Sequence, residues 1–304
     1  MIDPKRLRFL REVAERGTVT AAADALAYTP SAISQQLSVL EEEVGAKLLE
    51  RQGRNVVLTP AGEVLLSHAP AIFDALERAN TAVAEASGEV SGRVMVGALQ
   101  SVMAVLIPDA FRNIADEYPQ IDLGLMELGD NEAPRELRLG NLDIAIDQRY
   151  RHVPHRRHEE LRRTVLLEEP LYLVVAKDSP IKRLAQASDA LWVGPSPASD
   201  CGRAAHSICR SDGFEPTMKF ESDDFGVALQ LVEAMGAVAI LPELALYRAG
   251  DALRYIKVDG TRQIVSLTRR EGEKRAAVAA VSHHLQLAAG RYLENVGRRT
   301  AASA

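Results

Sequence analysis

Apolar residues recur every three to four positions in three stretches near the start of the chain. This spacing predicts three short helices, one after Asp3-Pro4, one over residues 20–26 and one after Thr29-Pro30. Two strand-like runs follow, at residues 47–51 and 55–58, and predict a β-hairpin. Together these elements indicate a small, mostly helical unit.

A long amphipathic helix is predicted over residues 60–88. Thr59 is a suitable capping residue, and Pro60 occupies the first helical position, where proline is favoured. The apolar positions alternate in steps of four and three, a heptad pattern that calls for a partner helix. These positions are Leu65, Ala69, Ile72, Leu76, Ala79, Val83 and Ala86. We expect a hinge at residues 87–92.

From residue 93 onward, short apolar strands alternate with stretches of helical period, which is typical of an α/β domain. Strands are predicted at residues 93–97, 121–128, 142–146, 171–176, 192–194, 219–222, 237–241 and 253–258. Helical periodicity is clearest over residues 103–118 and 225–235.

Composition narrows the class of protein. The chain has 304 residues, of which 47% are hydrophobic, so it is expected to fold into about two domains. Residues 1–8 are charged throughout and do not resemble a secretory signal, and the longest apolar stretch is too short to cross a bilayer. We therefore expect a cytoplasmic protein without a membrane partner. The net charge of −6 argues weakly against nucleic acid.

The third predicted helix nevertheless has a polar face suited to DNA. Its other face carries Ile33, Leu37 and Leu40. Short hydroxyl and amide groups form hydrogen bonds with base edges in the major groove, and the polar face consists of Ser31, Ser34, Gln35 and Ser38. Arg51 and Arg54 in the hairpin could meet phosphates. Spacing alone favours DNA recognition and an ordinary surface helix about equally.

Residues 21–41 resemble the helix-turn-helix of LysR-type transcriptional regulators. The likeness extends through residues 44–51, 58–62, 93–97, 139–146 and 237–242. It implies an α/β protein with an N-terminal winged helix-turn-helix at residues 1–59, a dimerising linker helix at 60–89 and a two-lobed, periplasmic-binding-protein-like effector domain at 91–298. Lobe I would comprise residues 91–165 and 267–298, and lobe II residues 166–264.

The resemblance also implies partners and DNA contacts. Double-stranded DNA would be recognised as an imperfect palindrome by a homodimer or homotetramer, with RNA polymerase as a further candidate partner. The base-contacting residues would be Pro30, Ser31, Ser34 and Gln35, with Ser38, Arg51 and Arg54 as phosphate candidates. Family members often have Arg where this chain has Gln35. Because Gln favours adenine and Arg favours guanine, the half-site is expected to differ from the usual one.

A small-molecule effector would bind at the carboxyl ends of strands, beside helix starts. The candidate residues, each of which could equally be a cap or turn residue, are Gln100, Ser101, Asp130, Gln148, Ser196, Ser199, Asp200, Asp224 and Phe225. Two carboxylates, Asp130 and Asp200, would repel an anion. We therefore expect a cationic or zwitterionic effector, such as a basic amino acid.

Two alternatives remain open at this stage. Cys201 and Cys209 lie near the position of the redox pair in peroxide-sensing members of the family, and a helix start and Arg203 would lower the pKa of Cys201, although Asp200 would raise it. A solute-binding protein or an enzyme built on the two-lobed domain is the other alternative.

The sequence gives little support for an enzyme or a cofactor site. It has no glycine-rich phosphate loop followed by lysine, and no nucleophile motif. Three histidines, His152, His155 and His158, are spaced for a metal site. The arginines between them would repel a dication, so a basic surface loop is favoured and no metal or cofactor is expected.

Overall fold

The computed structural model describes residues 2–26, 28–53, 55–86, 90–151, 153–155, 158–270 and 272–302. The chain divides into two units. The N-terminal unit contains Met1–Glu89 and Arg135–Leu142, and the C-terminal unit contains Val90–Pro134 and Asp143–Ala304.

The N-terminal unit is a winged helix-turn-helix. Its elements are α1 (Pro4–Arg16), α2 (Val19–Leu26), α3 (Pro30–Val44), the antiparallel hairpin β1 (Leu49–Gln52) and β2 (Asn55–Leu58), and α4 (Pro60–Ala86). Asp3 caps α1 by accepting a hydrogen bond from the Lys5 N–H at 2.8 Å, and Thr29 caps α3 through the Ala32 N–H at 3.2 Å. Gly45 ends α3 with φ of 73°, a conformation that glycine adopts without strain.

The core of this unit forms where three helices meet. Buried residues of α1 and α2, including Leu10, Val13 and Ala22, belong to one cluster with Ile33 and Leu37 of α3. Removal of this apolar surface from water stabilises the arrangement and fixes the rotation of α3 about its axis.

Gly62 explains one part of the sequence motif at the start of α4. A Cβ atom at this position would collide with the carbonyl oxygen of Leu48, so only glycine lets the helix pass so close to the chain before β1. Thr59 caps the same helix by accepting a hydrogen bond from the Gly62 N–H at 3.1 Å, and it donates one to the Lys47 carbonyl at 2.7 Å.

The apolar stripe of α4 packs on the core of the N-terminal unit at its start and is exposed further along. The heptad pattern predicted only contact with a partner helix. Ala69 is buried in the core of the N-terminal unit, and Leu65 and Ile72 pack against that core. Leu76 and Val83 are 44% and 72% exposed. The side chain of Ala86 and residues 87–89 of the predicted hinge (87–92) lie outside the described residues.

The C-terminal unit is α/β, as predicted. Its elements are β3 (Gly92–Ala98), α5 (Gln100–Val105), α6 (Ile107–Glu117), β4 (Ile121–Glu127), β5 (Ile144–Tyr150), β6 (Leu161–Ala176), β7 (Trp192–Gly194), α8 (Asp200–Ser211), β8 (Met218–Glu221), α9 (Phe225–Met235), β9 (Ala239–Pro242), β10 (Leu253–Arg269) and α10 (Ala276–Ala302). Short 3-10 turns occupy Leu184–Ala187, Glu243–Arg248 and Gly272–Lys274. A further helix, α7 (Ala133–Leu139), contains residues assigned to each of the two units.

The six-stranded sheet has the order β4-β3-β5-β10-β6-β9. β3 is parallel to β4 and β5, whereas β10 runs antiparallel to both β5 and β6. β7 and β8 form a separate parallel pair. Because the carboxyl ends of β3, β4 and β5 meet at one edge, the loops after them come together there.

Two strands are much longer than predicted. β6 begins ten residues before the predicted residue 171 (171 − 161), and β10 ends eleven residues after the predicted residue 258 (269 − 258). Glu168, Glu169 and Pro170 interrupt the apolar pattern of β6, and residues 259–262 interrupt that of β10. The local pattern of apolar residues therefore ends the predicted strands at these positions, whereas pairing between β6 and β10 continues them.

Smaller differences concern element ends. The predicted helix over residues 103–118 is two helices, α5 and α6, separated at Leu106. Pro108 accounts for the break, because proline has no N–H to donate to the preceding turn. β5 continues to Tyr150, past the predicted end at residue 146.

Two lobes are visible as separate hydrophobic clusters. Leu167 of β6 and Ile264 of β10 belong to a cluster with β3 and α10, whereas Leu171 and Val258 of the same strands belong to a cluster with α8. The change from one cluster to the other therefore falls within both long strands. No helix in the described part of the chain is long and apolar enough to cross a membrane.

Candidate DNA-binding and effector sites

The outer face of α3 is polar and accessible. Pro30, Ser31, Ser34, Gln35 and Ser38 are all exposed, whereas Ile33, Leu37 and Leu40 are buried. The helix is therefore held by its apolar side and presents hydroxyl and amide groups on the other, which is the arrangement required to enter a major groove.

Nearby polar residues have structural partners instead. Gln36 accepts a hydrogen bond from the Arg6 guanidinium at 2.9 Å, so its amide is engaged within the unit. Arg6 also pairs with Glu43 at 2.6 Å. These contacts tie α3 to α1, while Ser34, Gln35 and Ser38 stay exposed and Ser31 shares a hydrogen bond with the Thr29 hydroxyl at 3.1 Å.

Glu41 joins α3 to the wing formed by β1 and β2. Its carboxylate accepts hydrogen bonds from the Leu48 N–H at 2.9 Å and the Leu49 N–H at 3.4 Å, and it pairs with Lys47 at 2.6 Å. Burial raises the pKa of Glu41, but these hydrogen bonds and the Lys47 charge outweigh it and hold the pKa below its usual value.

Arg51 projects from the wing that Glu41 positions. It is exposed, and no hydrogen bond or ion pair engages it within the described part of the chain. Its charge is therefore available to a phosphate. The second predicted wing residue, Arg54, lies outside the described residues.

A cavity of about 400 Å³ opens in the C-terminal unit at the carboxyl ends of β3, β4 and β5. It is lined by Leu99, Gln100, Ser101, Glu127, Leu128, Gly129, Asp130, Gln148, Pro195, Ser199, Cys201, Asp223, Asp224, Phe225 and Arg262. The lining combines residues from both lobes, and its volume lies in the range of small-molecule sites.

Arg262 forms the floor of this cavity. Its fully buried guanidinium donates to the Glu169 carboxylate at 2.7 Å, to the Gln148 side-chain oxygen at 3.1 Å and to the Ser101 hydroxyl at 3.1 Å. Burial alone would lower the pKa of Arg262, but the charge of Glu169 outweighs it and raises the pKa, so the guanidinium stays protonated. Arg262 thereby fixes the orientation of two residues that face the cavity.

Asp130 connects the two lobes across the cavity. Its carboxylate accepts a hydrogen bond from the Gln148 amide at 3.0 Å and another from the Asp200 backbone N–H at 2.7 Å. Ser199 caps α8 by accepting from the Gly202 N–H at 3.0 Å. The loop that begins α8 is therefore held to the loop after β4.

Most of the predicted effector residues lie together in this cavity, but Ser196 and Asp200 do not line it. Ser196 forms the turn before α8, where its carbonyl accepts from the Ser199 hydroxyl at 2.8 Å. The Asp200 carboxylate pairs with Arg203 and lies 3.5 Å from His155. Asp200 is therefore occupied within the protein, contrary to the expectation that it repels an anionic ligand.

Sequence reasoning missed three charged residues of the cavity: Glu127, Asp223 and Arg262. Arg262 lies beyond the predicted end of its strand at residue 258. Its partner Glu169 lies between two apolar runs, and a charged residue that is fully buried is normally paired.

The two cysteines do not have the surroundings expected of a redox pair. Burial raises the pKa of Cys201 to about 11 and that of Cys209 to about 12. Burial of Cys201 therefore outweighs the lowering of its pKa expected from the helix start and Arg203. Both residues lie on α8, eight positions apart, so their Cα atoms are about 12 Å apart, too far for a disulfide without unwinding the helix.

The histidine-containing loop after β5 shows structural roles. His155 accepts a hydrogen bond from the Tyr150 N–H at 3.1 Å, and burial with the charge of Arg149 lowers its pKa. His158 lies 3.7 Å from Glu160, and His152 is outside the described residues. Among the described residues, no group of three or more His, Cys, Asp and Glu side chains is arranged to hold a metal ion.

Comparison with protein families decides the class of protein. Residues 4–63 match the bacterial regulatory helix-turn-helix protein, lysR family, and residues 87–289 match the LysR substrate binding domain. The chain belongs to the LysR family. It is thus a transcriptional regulator with a DNA-binding and an effector-binding domain, and the alternative of an enzyme or solute-binding protein is not supported.

Relatives with assigned names agree with membership of the LysR family. Transcriptional dual regulator GltC of Bacillus subtilis (strain 168) is 30% identical over 248 residues, covering 80% of this chain and 81% of that protein. A probable hydrogen peroxide-inducible genes activator of Mycobacterium xenopi is 34% identical over 140 residues, covering 46% of this chain and 74% of that one.

Solved structures show the same LysR-type fold. A full-length variant of OxyR from Pseudomonas aeruginosa has a TM-score of 0.69 at 20% identity and covers 94% of this chain and 95% of its own. Full-length CbnR, complexed with its target DNA, has a TM-score of 0.54 at 22% identity and covers 95% of this chain and 100% of its own.

Proposed function

We propose that this regulator reads an imperfect palindrome in double-stranded DNA with the outer face of α3, and that Arg51 and Arg54 contact phosphates beside the groove. The observation that carries the proposal is the division of α3 into a buried apolar side and an exposed side of serines and Gln35. Ordinary surface helices carry long charged side chains, whereas short hydroxyls and amides suit base edges.

The partner that completes the assembly is a second copy of the chain. Leu76 and Val83 are exposed on α4, and paired α4 helices would bury them while setting two α3 helices about 34 Å apart or a multiple of it. A homodimer or homotetramer fits this geometry. RNA polymerase is a further partner at the promoter, and the cytoplasm is the compartment where these partners meet.

The effector binds in the cavity between the lobes. Asp130 of one lobe accepts a hydrogen bond from the backbone N–H of Asp200 in the other. A ligand that contacts Asp130 or Gln148 would therefore change the hydrogen bonds that connect the lobes. A ligand that prefers one arrangement of the lobes shifts the population towards it, and its effect on transcription is limited by that preference.

Selection of bound sequences from a random duplex library tests DNA recognition by α3. Gln35→Ala should weaken binding to the selected duplex by about 1–3 kcal/mol and relax the choice of base at one position of each half-site. Ser34→Ala should also relax the sequence choice. Arg51→Ala should weaken binding to all duplexes alike. It should also reduce the dependence of the affinity on salt concentration by an amount that corresponds to about one phosphate contact.

Gln120→Ala, which changes an exposed glutamine of the C-terminal unit, is the matched control and should leave the selected sequences unchanged. Identical behaviour of the Gln35 and Arg51 variants would contradict the division of roles. Retention of the parental sequence choice by both α3 variants would contradict recognition by α3.

A further inference from the structure

The cavity between the lobes has a second compartment. A space of about 820 Å³ adjoins the first cavity, and the two share Gln100, Ser101, Glu127, Asp224 and Phe225 in their linings. A ligand seated in the first compartment therefore reaches the second past Phe225. The inference below rests on the proposal that the effector binds in this cavity.

The first compartment is acidic. Glu127, Asp130, Asp223 and Asp224 all line it, and the positive charge of Arg262 is neutralised by Glu169 behind it. Because the four carboxylates line one cavity, their charges add in their effect on a ligand there. The compartment therefore favours a positive charge and disfavours a negative one.

Two of these four carboxylates are engaged within the protein, and the other two are available to a ligand. Asp130 is held by Gln148 and by the Asp200 N–H, and Asp224 caps α9 by accepting from the Gly226 N–H at 2.7 Å. No hydrogen bond or ion pair of the Glu127 or Asp223 carboxylate is found among the described residues. They are the carboxylates that can pair with a ligand cation at little cost to the protein.

The second compartment is mainly apolar. Its lining includes Met103, Ala104, Val227 and Leu231, and Val227 is 45% exposed. Burial of apolar surface is the main source of affinity in such a space. It suits a hydrocarbon or aromatic body.

We propose that the effector is an organic cation with an apolar body: a protonated amine lies between Glu127 and Asp223, and the body fills the compartment lined by Val227. This assignment moves the acidic contacts from Asp130 and Asp200 to Glu127 and Asp223. It also excludes simple carboxylates and small hydrophilic amines as good ligands.

Titration calorimetry of the full-length chain with three matched probes tests the proposal. The probes are 4-phenylbutylamine, its carboxylate counterpart 4-phenylbutyrate, and butylamine, which lacks the ring. The aromatic amine should bind about tenfold more tightly than either of the other probes, because only it meets both compartments. Its affinity should fall as the salt concentration rises.

Substitutions then locate the two parts of the ligand. The double variant Glu127→Gln, Asp223→Asn should weaken the binding of 4-phenylbutylamine about three- to tenfold. The control is Asp189→Asn, which changes an exposed carboxylate outside both compartments and should leave this affinity unchanged. Val227→Trp should weaken 4-phenylbutylamine and leave butylamine unaffected. Circular dichroism checks that each variant is folded.

Equal or tighter binding of 4-phenylbutyrate would overturn the charge assignment while leaving the cavity as the effector site. If 4-phenylbutylamine binds but none of the three cavity substitutions changes its affinity, the ligand does not bind in these compartments. Failure of all three probes to bind would overturn the ligand class. None of these results depends on DNA recognition by α3, which the duplex selection tests separately.

Discussion

Cys201 shows that the surroundings of a side chain can outweigh its position along a helix. Its place in the first turn of α8 favours the thiolate, but the thiol is almost completely buried, and burial dominates. The hydrogen bond with Tyr150 lowers the pKa too little to reverse this. The cysteine is therefore a packing residue at the cavity wall.

The prediction for Cys201 and Cys209 is slow thiol chemistry in the native protein. Since the pKa of Cys201 rises from 9.0 to about 11, its thiolate population at neutral pH is about a hundredfold lower than in the unfolded chain. Iodoacetamide labelling followed by mass spectrometry should show both cysteines protected at pH 7 and reactive in urea. Peroxide should not form a Cys201–Cys209 disulfide.

Cys201→Ser is the control for this experiment. If peroxide changes the affinity of the parent protein for its selected duplex but not that of Cys201→Ser, the chain is a redox sensor and the effector proposal fails for this protein.

The outer face of α3 could be predicted from the sequence more completely than the cavity lining. The exposed serines and Gln35 of α3 follow from helical periodicity, because each apolar neighbour that is buried fixes the opposite side as solvent-facing. The cavity lining was only partly predictable. Residues in the loops after strands were found, whereas Arg262 lies in a strand whose predicted end at residue 258 comes too early, and Glu127 is the last residue of β4 itself.

At the scale of elements, α4 is divided along its length. Its first half packs on the core of the N-terminal unit through Ala69, and its second half exposes Leu76 and Val83. A heptad pattern cannot distinguish these two uses, because both require apolar residues at the same spacing. The exposed second half is the part that remains for a partner helix.

The prediction for α4 is loss of assembly in Leu76→Glu. A charge at the centre of the exposed stripe would have to be buried between paired helices, which costs several kcal/mol per unpaired charge. Light scattering coupled to gel filtration should show monomers, and binding to the palindrome should fall to that of a single half-site.

Ala71→Glu is the matched control, since Ala71 is exposed on α4 outside the heptad stripe and should tolerate the charge. An unchanged assembly state in Leu76→Glu would contradict pairing through this face.

The long strands β6 and β10 were the least predictable elements. Their centres carry Glu169 and Arg262, which pair directly across the ladder at 2.6 Å. A buried ion pair of this kind interrupts the apolar pattern at the point where the strands pass from one lobe to the other. Tertiary contact, which a local pattern does not contain, keeps these residues in the strands.

At the scale of the whole molecule, recognition and control reside in different units of the chain. The N-terminal unit presents a polar helix face, and the C-terminal unit encloses a cavity whose two lobes are linked by Asp130. The family and the order of these units could be predicted from sequence motifs. The compartments of the cavity could not, because they depend on side chains brought together from β4, α5 and α9.

Hydroxyl-radical footprinting of the parent protein on its selected duplex tests whether two α3 helices read the DNA as a pair. Two protected backbone segments flanking related sequences are expected, related by a dyad and spaced by about one helical turn or a multiple of it, and both should disappear together in Leu76→Glu. A single protected segment, or uniform protection without a sequence preference, would contradict paired recognition helices.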